Sequence, residues 1–227
     1  MKFSTASFLV LLFVCSNSYS QLSSDRIFDS FKQGERTNCS SIAFIKASLN
    51  IFGLDNLFIT EKEGDSLYKI TLKNNASFTL TSKELNTATI SADFVFIKKS
   101  EDSKNIRDYA VLAYAVMAKY KQIIDKEESF EKALEDLEEG ELYTPTIYKY
   151  LGFEKGKQIE KLKRLSGGEY CGVVAWSNAH AVFVCEDFMD YYGNKKSLWD
   201  KYPGRFRIIN DQGAGGEMSV SVAQGAL

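Results

Sequence analysis

The chain is poor in histidine, proline and cysteine and has no excess of positive charge: one His, two Pro and four Cys in 227 residues, with 28 Lys and Arg against 30 Asp and Glu. The charge balance lacks the basic surplus that polyanion binding requires, so no nucleic-acid partner is expected. Two prolines and no low-complexity tract exclude a linker-rich modular chain. With a single imidazole and no Cys-x-x-Cys pair, there is no closely spaced donor set for zinc, and no metal or other cofactor is expected. Beyond the first twenty residues no apolar run approaches the roughly 20 needed to cross a bilayer.

The N-terminal segment does carry an apolar run. Lys2 supplies a positive start, Phe8 to Val14 a short hydrophobic stretch, and Ser18-Tyr19-Ser20 a small-x-small cleavage site, so residues 1–20 read as a secretory signal. Val14 is too bulky for the position ahead of an acylated Cys15, which argues against a lipoprotein. The expectation is a single domain over 21–227, secreted or extracytoplasmic (periplasmic in a Gram-negative host), with no stable membrane insertion after signal cleavage. Its aliphatic and aromatic content is sufficient for one real core.

Asp25 to Phe31 reads as a short lead-in. Ser40 to Gly53 reads as a helix, with Ile42, Ile45, Leu49 and Phe52 at spacings of three and four and Gly53 as the stop. Leu67 to Leu72, Ser77 to Leu80 and Asp93 to Ile97 read as short strands or an extended arm. Ile106 to Ile124 and Phe130 to Leu137 are further helices. Thr146 to Leu151 adds a helical turn or two, and Ile159 to Leu165 is another helix candidate. The acidic block Asp125 to Glu141 reads as a solvated helix face. From Glu169 the pattern changes: Tyr170 to Trp176 and His180 to Glu186 form a predicted hairpin, and Arg205 to Ile209 a third strand that ends at Asn210. Helices first and strands later predict an α+β fold.

Three cysteines remain after signal removal: Cys39, Cys171 and Cys185. If Trp176 lies opposite His180 in the hairpin, Cys171 faces Cys185 at a cross-strand distance of about 4.5–5.5 Å, which a disulfide can span. A slip of one residue would leave two separate thiols instead. An odd cysteine count leaves at least one thiol outside any intrachain bridge, and a nucleophilic Cys39 would have to be that one.

Cys39 opens the first helix, and His180 lies 141 residues downstream. A helix N-terminus and a nearby imidazolium together lower a thiol pKa by several units from roughly 8.5, which makes the thiolate available. An oxyanion formed by its attack needs donors; the Cys39 amide and the Gln33 side chain, six residues upstream, are the candidates.

On these residues the chain resembles the papain-like cysteine peptidases, and most closely the calpain-type catalytic domain. Gln33-Gly34 with Cys at the sixth position after the Gln is similar to their active-site opening. Asn178-Ala179-His180-Ala181-Val182 is similar to the calpain histidine strand, and Arg205 to Gly213 to the strand that delivers the Asn. The resemblance implies a helical N-terminal lobe carrying the Cys and an antiparallel β C-terminal lobe carrying the His. It implies Cys39 as nucleophile, His180 as general base and acid, Asn210 as the residue orienting His180, Asp211 as the fallback orienter, and Gln33 as an oxyanion donor. The substrate would be a peptide or protein. Calcium dependence is not expected, because no Asp/Asn/Gly-rich ligand loop is present. Two departures from the family pattern are Ser40 and Gln212, where these peptidases carry Trp. Two other functions share the architecture: a transglutaminase-like acyl transferase, and a catalytically silent module that binds peptide or protein. Between His180 and Asn210 the segment Asp187 to Pro203 reads as a loop, whose Tyr191, Tyr192 and Trp199 either line a substrate cleft or cover the core; covering the core is the expected use. Asn38 and Asn75 both begin glycosylation sequons, the first a chance match because a glycan there would crowd Cys39.

Overall fold

The computed structural model describes residues 22–139, 144–159, 171–197 and 202–210. The predicted signal segment, Asp211, Gln212, Trp199, Tyr170, most of the Ile159 to Leu165 helix and the C-terminal tail lie outside the described residues. Among the described residues no helix is long and apolar enough to cross a membrane.

The fold is α+β, with all strand pairings antiparallel. In chain order the first half comprises α1 (Ser24–Phe28), β1 (Phe31–Gln33), α2 (Cys39–Phe52), the strands β2 (Phe58–Glu63), β3 (Leu67–Leu72) and β4 (Ser77–Thr81), α3 (Ser82–Ala92), β5 (Phe94–Phe96), α4 (Glu101–Asp125) and α5 (Phe130–Glu138). A 3-10 helix over Thr144–Leu151 follows. The second half comprises β6 (Lys157–Gln158), β7 (Val173–Trp176), β8 (Ala181–Cys185), β9 (Phe188–Tyr191), β10 (Asn194–Ser197) and β11 (Gly204–Arg207).

Helix α2 is central. It is buried nearly all round, wider than the stripe its apolar spacing predicts. Its polar side chains therefore need internal partners: Ser48 Oγ donates to Phe44 O at 2.7 Å, Asn50 Nδ2 to Leu22 O at 3.0 Å, and Ser40 bonds the Thr144 hydroxyl. Gly53, at φ 80°, ends the helix with its N–H on Leu49 O.

The six-stranded sheet runs β10-β9-β8-β7-β11-β6 and packs β7 and β8 against α2. Strand alternation divides it cleanly. Val174, Ala181 and Phe183 face the main core with Phe44 and Tyr114, while Val173, Ala175, Val182, Val184 and Met189 form a second cluster that includes Tyr202. A separate meander β2-β3-β4 sits between α2 and α3, so strands are not confined to the second half. Acidic residues of the Asp125 to Glu141 block are not all solvated: Asp125, Glu127 and Asp136 converge on the buried Lys121 ammonium at 3.2, 2.6 and 3.1 Å.

The hairpin differs from its predicted register by one residue. Trp176 pairs with Ala181, not His180, and β7 begins only at Val173. A disulfide nevertheless joins Cys171 and Cys185. Gly172 adopts φ 70°, a left-handed conformation that breaks the ladder and turns Cys171 back toward its partner. A Cβ at Gly172 would lie 2.3 Å from Ile51 Cγ1, so helix α2 also enforces glycine there.

Candidate active site

The segment from β1 to α2 holds the candidate nucleophile. Gln33 closes β1 opposite Phe94, and the turn after it is clamped by Asp93: Gly34 N–H donates to its carbonyl at 3.0 Å and Glu35 N–H to its carboxylate at 2.7 Å. The approach is so close that a Cβ at Gly34 would lie 2.2 Å from Asp93 Oδ2. Thr37 Oγ1 donates to Glu138 O at 2.6 Å, and Asn38 Nδ2 to Ala92 O at 2.8 Å. Asn38 is fully buried, so the folded chain does not present that sequon for glycosylation.

Cys39 is the first residue of α2 and is 8 % exposed. It takes no part in the disulfide. Asn38 provides no side-chain cap, and Cys39 stands at the positive end of the helix, where a developing anion is favoured. Gln33 Nε2 donates one of its hydrogens to Arg36 O, which leaves the amide's second hydrogen for another acceptor.

His180 stands just ahead of β8, where the loop Ser177-Asn178-Ala179 is closed by Ser177 N–H on His180 O at 2.9 Å. It too is 8 % exposed. Burial lowers its pKa to about 4, opposed by the negative charge of Asp190. Its Nε2 is buried with no hydrogen-bond partner among the described residues.

Cys39, His180 and Gln33 line one pocket, together with Asp190 and Tyr192. The enclosed space between these residues is only about 10 Å³, close to that of one water-sized sphere.

Asn210 is not part of this pocket, which corrects its expected role. β11 pairs Gly204 with Trp176 at the His180 end of the sheet and runs away from it, through Arg207 opposite Val173. Asn210 lies three residues beyond the end of β11 and is exposed. It is not among the residues that line the pocket with His180.

The residues that do surround His180 come from a segment read as a loop. β9 folds back along β8, and the two-residue turn Tyr192-Gly193 joins it to β10, with Tyr191 paired to Asn194. Both turn residues have positive φ, 52° and 79°, the geometry of a type I′ hairpin. This brings Asp190, Tyr191 and Tyr192 to the His180 end. The Tyr192 ring stacks on the imidazole with centroids 4.1 Å apart and planes 10° from parallel, and Tyr191 meets it edge-on at 5.7 Å. Tyr191 and Tyr192 therefore belong to the site and not merely to the core cover. Tyr202, just ahead of β11, is close enough to feel them: burial first, then the charges of Tyr191, Tyr192 and Cys39, push its pKa up to about 12.

The remaining residue missed in the sequence is Lys46. It is fully buried on α2, and its ammonium lies 2.6 Å from Asp190 Oδ2. A lone lysine inside the apolar run Ala43 to Leu49 was the available signal, because a buried ammonium requires a counter-charge. Among the described residues Cys171, Cys185 and Glu186 form a cluster of metal-type donors, but both sulfurs are used in the disulfide.

Comparison of the chain with protein-family models, curated proteins and solved structures finds no match. Function is therefore argued from the site alone.

Proposed function

We propose that the chain is an exported cysteine peptidase of papain-like architecture, in which Cys39 is the nucleophile and His180 the general base and acid. The observation that carries this reading is the convergence of Cys39, at the N-terminus of a buried helix, with His180 and Gln33 on one pocket. A thiol at a positive helix end, an imidazole and an amide donor are the three roles that acyl transfer through sulfur requires.

In the first step the Cys39 sulfur attacks the carbonyl carbon and its proton passes to His180. The S–C bond forms, and the oxyanion is met by the Cys39 amide and the Gln33 side chain. As the C–N bond breaks, His180 returns the proton to the leaving amine. Water then attacks the thioester, again giving its proton to His180, and the acid product departs as Cys39 recovers its hydrogen. At a pKa of about 4 the His180 imidazole is neutral near pH 7 and has a lone pair for that first proton, although burial makes it a weaker base than an ordinary histidine.

The test is labelling with a thiol-directed peptidyl electrophile, with the adduct located by mass spectrometry in the wild type, Cys39→Ala and His180→Ala. Labelling at Cys39 that collapses in His180→Ala, with cleavage of peptides, supports the peptidase. Transfer to an added amine at the expense of hydrolysis would make it an acyl transferase. Peptide binding with Cys39 no more reactive than in denatured chain would make it a silent binding module.

A further inference from the structure

A general base must be held in one orientation, and His180 lacks the usual means. Asn210 is at the far end of the sheet, and Nε2 has no hydrogen-bond partner among the described residues. The ring is fixed by packing instead: Tyr192 flat across its face, Tyr191 against its edge, and the two tyrosines at 83° to each other. Tyr192 achieves this from φ 52°, a left-handed conformation that bulky side chains avoid and that persists only where the surroundings enforce it.

The enforcing contacts can be traced. Gly193 N–H donates to Asp190 Oδ1 at 2.8 Å, which pins the turn, and Asp190 Oδ2 pairs with Lys46 Nζ at 2.6 Å. Lys46 follows Cys39 by seven residues, within about 20° of two full helical turns, so both project from the same face of α2. The same ammonium donates to Phe31 O on β1, the strand that ends in Gln33. One buried cation thus joins the elements that carry Cys39, Gln33 and the cover of His180.

We propose that Asp190 is a positioning residue for His180: paired with Lys46, it locks the Tyr192-Gly193 turn so that the Tyr192 ring lies across the imidazole, and so ties the general base to the helix of the nucleophile. This rests on the reading of Cys39 and His180 as the reacting pair. A buried ion pair adds little net stability over apolar residues of similar size, so its use here is geometric. Among the described residues the titratable groups around His180 are Cys39 from α2, Asp190 and Tyr191 from β9, Tyr192 from the turn and Tyr202 ahead of β11, with Lys46 behind Asp190.

Because His180 is the only histidine in the chain, its ring C–H resonances titrate without ambiguity in an NMR spectrum. The lock and a direct charge effect of Asp190 have opposite signs. Loss of the charge alone lowers the His180 midpoint, whereas release of Tyr192 admits water and raises it. Lys46→Met/Asp190→Leu is expected to raise the midpoint from about 4 toward the ordinary 6.5, and Tyr192→Gly to do the same, while Tyr192→Phe keeps the low value. Lys46→Met/Asp190→Asn gives the same readout if the Leu side chain does not pack. Iodoacetamide alkylation of Cys39 near neutral pH falls at least about tenfold in the double variant and in Tyr192→Gly, one factor of ten per 1.4 kcal/mol of lost activation. A midpoint that stays put or drops in the double variant overturns the proposal. Midpoints that move as expected while Cys39 alkylation is indifferent to His180→Ala uphold the lock and overturn the catalytic reading.

Discussion

The ring of Tyr192 lies 4.1 Å from that of His180 and within 10° of parallel to it, and this contact, not a hydrogen bond, sets how the imidazole faces the pocket. It also keeps water from one face of His180. Folding therefore takes up a neutral imidazole, which has a consequence for stability.

The folded midpoint of His180 is about 4, against 6.5 for an unperturbed histidine. Between those values the unfolded chain binds a proton that the folded chain does not, so stability is full above about pH 6.5 and falls as pH drops toward 4. The loss reaches roughly 3 kcal/mol by linkage. Unfolding free energies from urea titrations between pH 7 and pH 4 in wild type and His180→Gln should diverge by that amount. Parallel curves would refute a buried neutral His180.

Lys46→Met leaves Asp190 buried without its counter-charge and is expected to cost about 3–5 kcal/mol, most of it recovered in Lys46→Met/Asp190→Leu. Chemical denaturation of the three chains checks this. A single variant as stable as the wild type would mean that the pair is not buried in solution.

The Cys171–Cys185 disulfide closes a loop of 14 residues across the β7–β8 hairpin. Its removal in a Cys171→Ala/Cys185→Ala chain should lower stability by about 3 kcal/mol, because the unfolded chain regains the entropy of that loop. Equal melting temperatures with and without the bridge would contradict this.

Asn210→Ala should leave Cys39 labelling within about twofold of wild type, the range of an exposed substitution remote from the chemistry. A loss comparable to His180→Ala would restore Asn210 to the site and refute the β11 register.

Where a segment's own periodicity carries the information, sequence and structure agree closely. The apolar spacing of Ile42, Ile45 and Leu49 announces α2, the run from Ile106 to Ile124 lies within α4, and the β-branched residues around Val174 and Val182 announce the hairpin. α3 carries too few apolar residues to show a helical period, although Thr81 and Glu84 form a capping box at its start. β9 and β10 look like loop in the sequence because their turn has Tyr where Asn or Gly is usual.

The candidate site divides in the same way. Reactive side-chain types and a helix start are local, so Cys39, His180 and Gln33 were legible in the chain, as was the possibility of a Cys171–Cys185 bridge. Strand order and register are not local: they follow from which faces bury most area, and a displaced strand moves every residue it carries. That is why the amino-acid sequence by itself determines the α+β composition, the helix that opens at Cys39 and the chemistry this thiol and this imidazole can perform. Only the tertiary structure decides that β11 carries Asn210 away from His180, that β9 brings Tyr192 over it, and that Lys46 and Asp190, 144 residues apart, find each other in the core. The physical reason is that a buried charge must be paired and a buried ring must be packed, and the partners for both are chosen by the fold rather than by proximity along the chain.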